Sequence, residues 1–353
     1  MKIAILSLHS RFGDVTGDCV QAEKTAASLR ILGEDASRFY LDQDSGIIYD
    51  YKNDNVGYWS DVFKDYDIVH AIPPIPSKFI SKFPKINAKL VCSTVFWRSL
   101  TYTKVLQKNE GRLSLSIIKE YIREFLAMIH IRLLSAYKVY DLLLPNSEDE
   151  IGVLKKYAKL KSNAEIVAVP NAIDPIPDTV KGLGRSSIVP SADYVLVPGF
   201  FAARKNQATL IRALRDFPHP VIFMGKGPLL EKCKKIANKN MFFIGHIDHG
   251  SDEFYSIMKY ARVVCLPSNC ETPGIAGLEA AALGARPVVP YEGGTCQYYG
   301  WDAEYHNPLN EASLLRAVET AWEKGRLSDI QMQQYVSLTW DVCAEATRRA
   351  YLR

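Results

Sequence analysis

The chain has 353 residues and a net charge of +4, with 48% hydrophobic and 23% charged residues. This composition excludes a disordered protein, and the length favours two domains over one hydrophobic core. The small net charge argues against a nucleic-acid-binding protein but is compatible with anionic ligands or lipid surfaces. The 7 cysteines show no C-x-x-C pair and no metal-ligand spacing, which favours a reduced intracellular compartment.

The N-terminal half alternates between apolar runs and helical patterns. Residues 2–8 predict a first strand, a loop with Gly17 follows, and a helix is predicted at residues 20–32. The first run is short and meets Arg11 early, so we interpret it as a core strand and not as a signal peptide. Further strands are predicted at residues 67–70, 89–95, 141–144 and 166–169. This alternation predicts a parallel sheet with helices on both faces.

Residues 113–140 are apolar on much of their circumference, with scattered cations such as Lys119 and Arg123. One interpretation is one or two buried core helices. The other is a monotopic surface that docks on an anionic membrane, where a lipid-linked acceptor would lie. No uninterrupted apolar run reaches the roughly 18 to 20 residues of a membrane span, which argues against a transmembrane helix.

A segment rich in Pro, Gly and Ser separates two halves of the chain. It covers residues 176–193 and lacks periodicity, which predicts a linker between a first domain at 1–175 and a second domain at 194–335. Beyond the linker, strands are predicted at residues 194–197, 221–224 and 241–244, and helices at residues 252–260, 310–323 and 340–351.

Two adjacent cations, Arg204 and Lys205, follow the first strand of the second domain and its glycine-containing loop. At the start of a helix, such a pair could hold a pyrophosphate, because Arg forks onto two oxygens while Lys acts as a point charge. By composition alone, the same pair would be solvated on the surface.

The segment from Leu266 to Gly294 carries the most informative pattern of the chain. After a predicted strand, Glu271 lies in a loop. A helix that contains Glu279 is predicted to begin at about Ile275 and to stop at Gly284. Unpaired N–H groups at a helix start attract anions or hydroxyl oxygens, and carboxylates accept hydrogen bonds from vicinal hydroxyls. The two glutamates could therefore hold two polyol groups; the alternative is a solvated loop residue and a helix cap.

The order of residues in this segment resembles the E-x7-E signature of family-4 retaining glycosyltransferases. The matching positions are Pro267-Ser268, Glu271, Gly274, Glu279-Ala280, Gly284, Pro287-Val288-Val289 and Gly293-Gly294. The resemblance implies an α/β protein with the GT-B fold, in which two Rossmann-like domains with parallel sheets face each other across a cleft. It also implies that a C-terminal helix, at about residues 336–353, packs back onto the N-terminal domain. The resemblance is strong in the second domain and weak in the first.

The activity that the resemblance implies is that of a retaining, metal-independent glycosyltransferase of the hexosyltransferase type. The donor would be a nucleoside-diphosphate sugar, with UDP or GDP as the nucleotide, and the acceptor a hydroxyl of a glycan or a lipid-linked molecule. Such an enzyme would serve polysaccharide or glycoconjugate biosynthesis in the cytoplasm or at the inner face of a membrane. No metal site, no further cofactor and no nucleic-acid partner are expected.

The resemblance also assigns roles to individual residues. Three side chains would hold the transferred sugar or stabilise the leaving diphosphate: Glu271, Arg204 and Lys205. Further residues would contact the donor: Glu279 at the ribose hydroxyls, the amides of Gly274, Ile275 and Ala276, Gly17 in the first domain, and His246 near the base. The alternative for Gly17 is an ordinary tight turn.

Two positions depart from the family pattern. Phe200 stands where many members have an arginine, so a clamp on the diphosphate would depend on the two cations that follow. Ile72 stands where many members have a histidine that contacts the donor sugar. Either His70 takes that role, or residues 96–98 do, or none is needed. A lone histidine at a strand end is more often structural.

Two other functions share parts of this pattern. The first is another sugar-nucleotide enzyme of the same fold, such as an epimerase or a phosphorylase. The second is a two-domain binding protein without catalysis. Release of free nucleoside diphosphate from a donor would distinguish a transferase from these two.

Overall fold

The computed structural model describes residues 1–8, 17–42, 45–50, 56–75, 79, 86–110, 114–128 and 134–353. Within these ranges the chain forms two compact units. The first contains Met1–Trp97, Phe125–Ala172 and Thr339–Arg353, and the second contains Arg98–Glu124 and Ile173–Leu338. The segment Arg98–Glu124 groups with the second unit, whereas the predicted first domain, 1–175, includes it.

The strands of the two units are numbered together in chain order. They are β1 Lys2–Ser7, β2 Asp35–Leu41, β3 Ile48–Asp50, β4 Val56–Gly57, β5 Ile68–Ala71, β6 Lys89–Thr94, β7 Leu142–Pro145, β8 Glu165–Ile166, β9 Val195–Pro198, β10 Val221–Met224, β11 Met241–Gly245, β12 Val263–Cys265, β13 Arg286–Pro290 and β14 Glu304–His306.

The helices are numbered in the same way. They are α1 Gly17–Ile31, α2 Trp59–Phe63, α3 Leu100–Glu110, α4 Leu115–Met128, α5 Glu148–Tyr157, α6 Gln207–Ala213, α7 Leu230–Ile236, α8 Asp252–Tyr260, α9 Ile275–Ala282, α10 Thr295–Tyr299, α11 Glu311–Lys324, α12 Asp329–Val336 and α13 Trp340–Tyr351. Short 3-10 helices cover Ala136–Val139, Asp178–Gly182, Ala203–Lys205 and Gly300–Asp302. In the described part of the chain, no helix is both long enough and apolar enough to cross a membrane.

The first unit is built around a mixed sheet. Among the described residues, its strand order is β4-β3-β2-β1-β5-β6-β7-β8, and neighbours from β2 to β8 are parallel. At the edge, β3 runs antiparallel to both β2 and β4. The predicted parallel sheet is correct for the interior and wrong at this edge, because strands of 3 and 2 residues are too short to leave a periodic signal.

Side chains of β1 show how the sheet of the first unit is covered on both faces. Ala4 and Leu6 pack into one buried cluster, whereas Ile3 and Ile5 pack into another. Successive side chains of a strand point to opposite faces, so an uninterrupted apolar run is expected when both faces are buried.

His70, at the end of the sequence-predicted strand 67–70, is a core residue of the first unit. Its side chain is fully buried, with Nδ1 2.7 Å from the Tyr351 hydroxyl and Nε2 2.8 Å from the Ser93 hydroxyl. Both ring nitrogens are therefore engaged within the unit, and burial lowers the pKa of His70 to about 3. This geometry supports the structural interpretation of His70 over a sugar contact.

The burial of His70 predicts a specific pH dependence of stability. Its pKa is lower in the folded chain than the ordinary 6.5, so the unfolded chain binds the proton first and the stabilisation present above pH 6.5 is lost as the pH falls. One such group contributes a slope of at most about 1.4 kcal/mol per pH unit. We expect the apparent free energy of unfolding of His70→Asn to fall less steeply than wild type between pH 6.5 and 4.5, measured by urea titration.

The control for this prediction is His246→Asn, because the His246 side chain is half exposed. The control variant should follow the wild-type pH dependence. Parallel curves for wild type and His70→Asn would contradict the prediction.

The second unit contains a six-stranded sheet in which neighbouring strands are parallel. Within the described ranges, its order is β11-β10-β9-β12-β13-β14. The chain therefore leaves β9 towards one edge of the sheet and later returns beside it as β12. In open α/β sheets, ligands bind outside the carboxyl ends of the strands at such a reversal. The loop that carries Arg204 and Lys205 follows β9, and the loop that carries Glu271 follows β12.

Candidate active site

The loop after β9 is fixed by the neighbouring loop after β10. The Gly199 amide donates to the Met224 carbonyl at 2.9 Å, and the Phe201 amide donates to the Lys226 carbonyl at 2.8 Å. A Cβ atom at Gly225 would lie 2.1 Å from the Gly199 carbonyl oxygen, so only glycine permits this approach. These contacts join the two loops into one base, and the two cations follow it in the loop after β9.

Asn206 then joins this base to the loop after β12. Its φ is +57°, a left-handed conformation that a non-glycine residue rarely adopts. The side-chain amide donates to the Pro267 carbonyl at 3.0 Å and to the Pro308 carbonyl at 2.9 Å. The Thr209 hydroxyl donates to Asn206 Oδ1 at 2.8 Å. The left-handed turn is therefore held by hydrogen bonds in three directions.

Lys205 and Glu271 meet directly. The Lys205 ammonium lies 2.6 Å from Glu271 Oε1, and the Ser268 hydroxyl donates to the same oxygen at 2.5 Å. The Glu271 side chain is 8% exposed and the Lys205 side chain 18%, so the pair is largely withdrawn from water. The structure thus brings together a carboxylate and a cation that the sequence separates into two loops.

Arg204 is arranged differently from its neighbour. It is exposed, and no side-chain ion pair holds it among the described residues. Its carbonyl oxygen accepts a hydrogen bond from the Asn269 amide at 3.0 Å. The backbone of Arg204 is therefore fixed at the site while its guanidinium reaches into solvent. Phe200, at the position of the family's usual arginine, is 48% exposed.

The backbone of Glu271 is clamped by the loop after β13. Its amide donates to the Glu292 carbonyl at 3.1 Å, and its carbonyl accepts from the Gly294 amide at 3.1 Å. Between them, Gly293 has a φ of +108°, and a Cβ atom there would lie 1.9 Å from the Glu271 carbonyl oxygen. Gly293 of the sequence pattern thus has a steric function, which is to let the two loops touch.

Helix α9 begins beside Glu271. Gly274 is its N-cap with a φ of +90°, and the first-turn amides at Ile275 and Ala276 have no partner within the helix itself. The Tyr299 hydroxyl donates to the Gly274 carbonyl at 2.9 Å and fixes this turn from helix α10. Sequence reasoning missed Tyr299, because this contact joins residues 25 positions apart in two different helices.

Glu279 lies in α9 and is nearly buried, with a side chain that is 11% exposed. Its Oε1 is 2.6 Å from His249 Nε2, in the loop after β11. The predicted base-contacting residue, His246, lies in the same loop but is half exposed and pairs with Asp248 at 3.7 Å. The histidine that reaches Glu279 is therefore His249, which the sequence analysis did not single out.

Gly17 belongs to the first unit, where it is the first residue of α1. The preceding loop residues 9–16 lie outside the described ranges. The role of Gly17 at the donor thus stays a prediction. In the described part of the chain, no group of three or more His, Cys, Asp or Glu residues is arranged to bind a metal ion.

Residues 185–322 match the family model of glycosyl transferases group 1. This region is similar to the glycosyltransferase domains of that family. It includes Arg204, Lys205, Glu271 and Glu279, and the match confirms the predicted enzyme class. A comparison with curated proteins found no match.

Solved structures of similar fold span nearly the whole chain. Sucrose-phosphate synthase from Thermosynechococcus elongatus is 16% identical with a TM-score of 0.68, and the match covers 99% of this chain and 98% of that one. A glycosyltransferase from Rickettsia africae is 13% identical with a TM-score of 0.67, at 99% and 98% coverage. HepE from Anabaena, in complex with UDP, is 15% identical with a TM-score of 0.56, at 100% and 95% coverage. At these identities the similarity concerns the fold, and it confirms the predicted α/β class of GT-B type.

Proposed function

We propose that this protein is a retaining family-4 glycosyltransferase that moves a sugar from a nucleoside-diphosphate sugar to a hydroxyl group without a metal ion. The observation that carries the proposal is the pair of Lys205 and Glu271 at the carboxyl edge of the sheet, beside the start of α9. A cation, a carboxylate and helix-start amides are the groups that a diphosphate and a sugar require. The proposed acceptor is a glycan or a lipid-linked molecule in polysaccharide or glycoconjugate biosynthesis.

In this mechanism the bond between the anomeric carbon and the diphosphate oxygen breaks, and the acceptor oxygen bonds to the same carbon. Negative charge grows on the leaving diphosphate, and Lys205, Arg204 and the first amides of α9 stabilise it. The proton of the acceptor hydroxyl passes to the departing diphosphate oxygen as the new bond forms. The nucleoside diphosphate is released as the second product.

Retention of configuration needs either a covalent intermediate or attack from the face that the leaving group departs. Glu271 Oε1 already accepts hydrogen bonds from Lys205 and Ser268, which withdraw electron density from the carboxylate. We therefore assign Glu271 a positioning role for the transferred sugar and favour attack from the leaving-group face.

The nucleotide is the part of the donor that can be tested most directly. HepE binds UDP on a similar fold, which supports a UDP-sugar, and a GDP-sugar is the second candidate. We expect one of UDP, GDP, ADP or TDP to raise the melting temperature without added metal, because a ligand at one hundred times its Kd stabilises by about 2.7 kcal/mol. Thermal-shift measurements on the full chain give the result.

The control for the thermal-shift series is Lys205→Ala, in which the shift should be strongly reduced. Failure of all four nucleotides at millimolar concentration would overturn the proposed donor site. Release of free nucleoside diphosphate that depends on an acceptor separates a transferase from an epimerase and from a binding protein.

A second part of the proposal concerns a membrane surface. Helix α4 exposes apolar side chains at positions spaced by three and four residues, which places them along one stripe: Leu115, Ile118, Ile122 and Phe125. Ile117 and Glu124, which point away from that stripe, are buried. Lys119 is exposed beside the stripe, a pattern typical of helices that lie in an anionic interface. The proposed location is thus cytoplasmic, at the inner face of a membrane.

Co-sedimentation with liposomes tests the membrane contact. We expect binding to vesicles that contain anionic lipid and at least about tenfold weaker binding after Ile122→Asp, because a charge replaces apolar area in the interface. The matched control is Ile330→Asp, which places the same charge at another exposed isoleucine. No binding of the wild type to anionic vesicles would remove the membrane from the proposal.

A further inference from the structure

The Glu279 carboxylate lies in a largely buried place beside His249. Burial of a charge is costly unless hydrogen bonds compensate for the lost water. Among the described residues, the donor that compensates is His249 Nε2, at 2.6 Å from Oε1. Oε2 has no hydrogen-bond donor within the same ranges and so remains an acceptor site for a ligand.

His249 is itself held in place from several sides. Its ring centroid lies 4.8 Å from that of Phe254, the residue whose amide donates to the Ser251 hydroxyl at the start of α8. Ser251 in turn donates to the Asp248 carbonyl at 2.7 Å, and Gly250 completes the turn with a φ of +80°. The loop after β11 is thus shaped so that the imidazole turns back towards α9.

We propose that His249 is a positioning residue for nucleotide recognition. It holds Oε1 of Glu279, so that Oε2 is presented to the ribose hydroxyls of the donor. This inference rests on the proposed function, because it assumes that Glu279 meets the ribose. It adds that ribose recognition is shared between α9 and the loop after β11. His249 itself is 51% exposed, so a ligand can approach the pair from solvent.

The preference of the protein for a ribonucleotide over the 2′-deoxyribonucleotide distinguishes a positioning role of His249 from a merely structural one. A nucleotide that lacks the 2′-hydroxyl leaves the carboxylate oxygen without its partner, which costs about tenfold in affinity for one hydrogen bond to a charged group. A loss of general stability would weaken both nucleotides equally. The ratio of their Kd values therefore reports on the orientation of Glu279.

The experiment measures Kd by calorimetry for UDP, 2′-deoxy-UDP and inorganic pyrophosphate; if the thermal-shift series selects another base, that nucleotide and its 2′-deoxy form replace the uridine pair. Wild type should prefer the ribonucleotide about tenfold. His249→Ala and Glu279→Gln should each reduce the preference to within about twofold, while pyrophosphate affinity stays unchanged. His249→Gln, which keeps an N–H donor, should restore part of the preference.

The matched control is Asp248→Ala, which alters the neighbouring exposed side chain and should retain the wild-type ratio. If His249→Ala retains the wild-type ratio, or if wild type binds both nucleotides equally, the inference is overturned while the donor site stands. If wild type binds neither nucleotide nor pyrophosphate, the proposed function fails and the inference fails with it.

Discussion

Lys205→Ala is expected to reduce the turnover number for sugar transfer by at least about 10²-fold, the loss that follows removal of one group stabilising transition-state charge. Two effects combine in this variant. The leaving diphosphate loses a cation, and Glu271 loses the partner that lies 2.6 Å away. Initial rates of acceptor-dependent nucleoside diphosphate release measure the effect at saturating donor. A matched control is Lys232→Ala, which removes the same charge from the exposed face of α7.

Glu271→Gln tests the other half of the pair and should also cost at least about 10²-fold in turnover. The substitution keeps the volume of the side chain but leaves the largely buried Lys205 ammonium without its counter-charge, so the melting temperature should fall and is measured alongside the turnover number. When two residues act as a unit, their losses do not add. The turnover number of the double variant Lys205→Ala/Glu271→Gln should therefore lie within about threefold of that of the slower single variant.

Near-wild-type transfer by either folded single variant would remove that residue from the mechanism. Losses that multiply in the double variant would show that the two residues contribute independently to the transition state and do not act as a unit. The double variant also controls for stability, because it leaves no unpaired ammonium or carboxylate in a largely buried place.

Gly293→Ala is expected to have the largest effect on stability, a loss of roughly 3 kcal/mol or more in the free energy of unfolding. The methyl group would lie 1.9 Å from the Glu271 carbonyl oxygen, and the φ of +108° is unfavourable for alanine. The loops after β12 and β13 would have to separate. Urea titration followed by tryptophan fluorescence gives the change, and activity should fall as Glu271 moves.

Gly250→Ala separates the clash from the backbone strain. Gly250 has a φ of +80° but nothing within 4 Å of an added Cβ atom. Its loss should be limited to roughly 1 to 2 kcal/mol, the cost of a left-handed conformation for alanine. Equal losses in the two variants would show that the loops at Gly293 adjust without cost. If Gly293→Ala yields no soluble protein while Gly250→Ala does, that result also shows that Gly293→Ala destabilises the protein more.

Local sequence patterns were sufficient to predict helices and strands whose apolar residues recur with a clear period. The helix at 252–260 and the strand at 221–224 have the predicted bounds. Lys205 and Glu271 were grouped only through the resemblance to the glycosyltransferase family. In the structure they meet because β9 and β12 are adjacent parallel strands, whose carboxyl ends lie at one edge of the sheet.

Contacts between segments that are distant in the chain could not be predicted from local sequence patterns. His70 finds Tyr351 at a separation of 281 residues, and His249 finds Glu279 at a separation of 30. In each pair one member, Tyr351 or His249, is an ordinary polar residue that no local motif distinguishes. The angle and depth at which two elements pack decide such contacts, and a single sequence does not encode these quantities in any short window.

The left-handed turn at Asn206 has a consequence for how the site responds to thermal fluctuation. Its one side chain hydrogen-bonds the backbone after β12 at Pro267 and the backbone after β14 at Pro308. We expect segments linked in this way to open together, so that their amide hydrogens exchange with similar free energies of opening. The loops of the donor site are thereby ordered when the domain folds. They therefore lose little further conformational entropy when a donor binds.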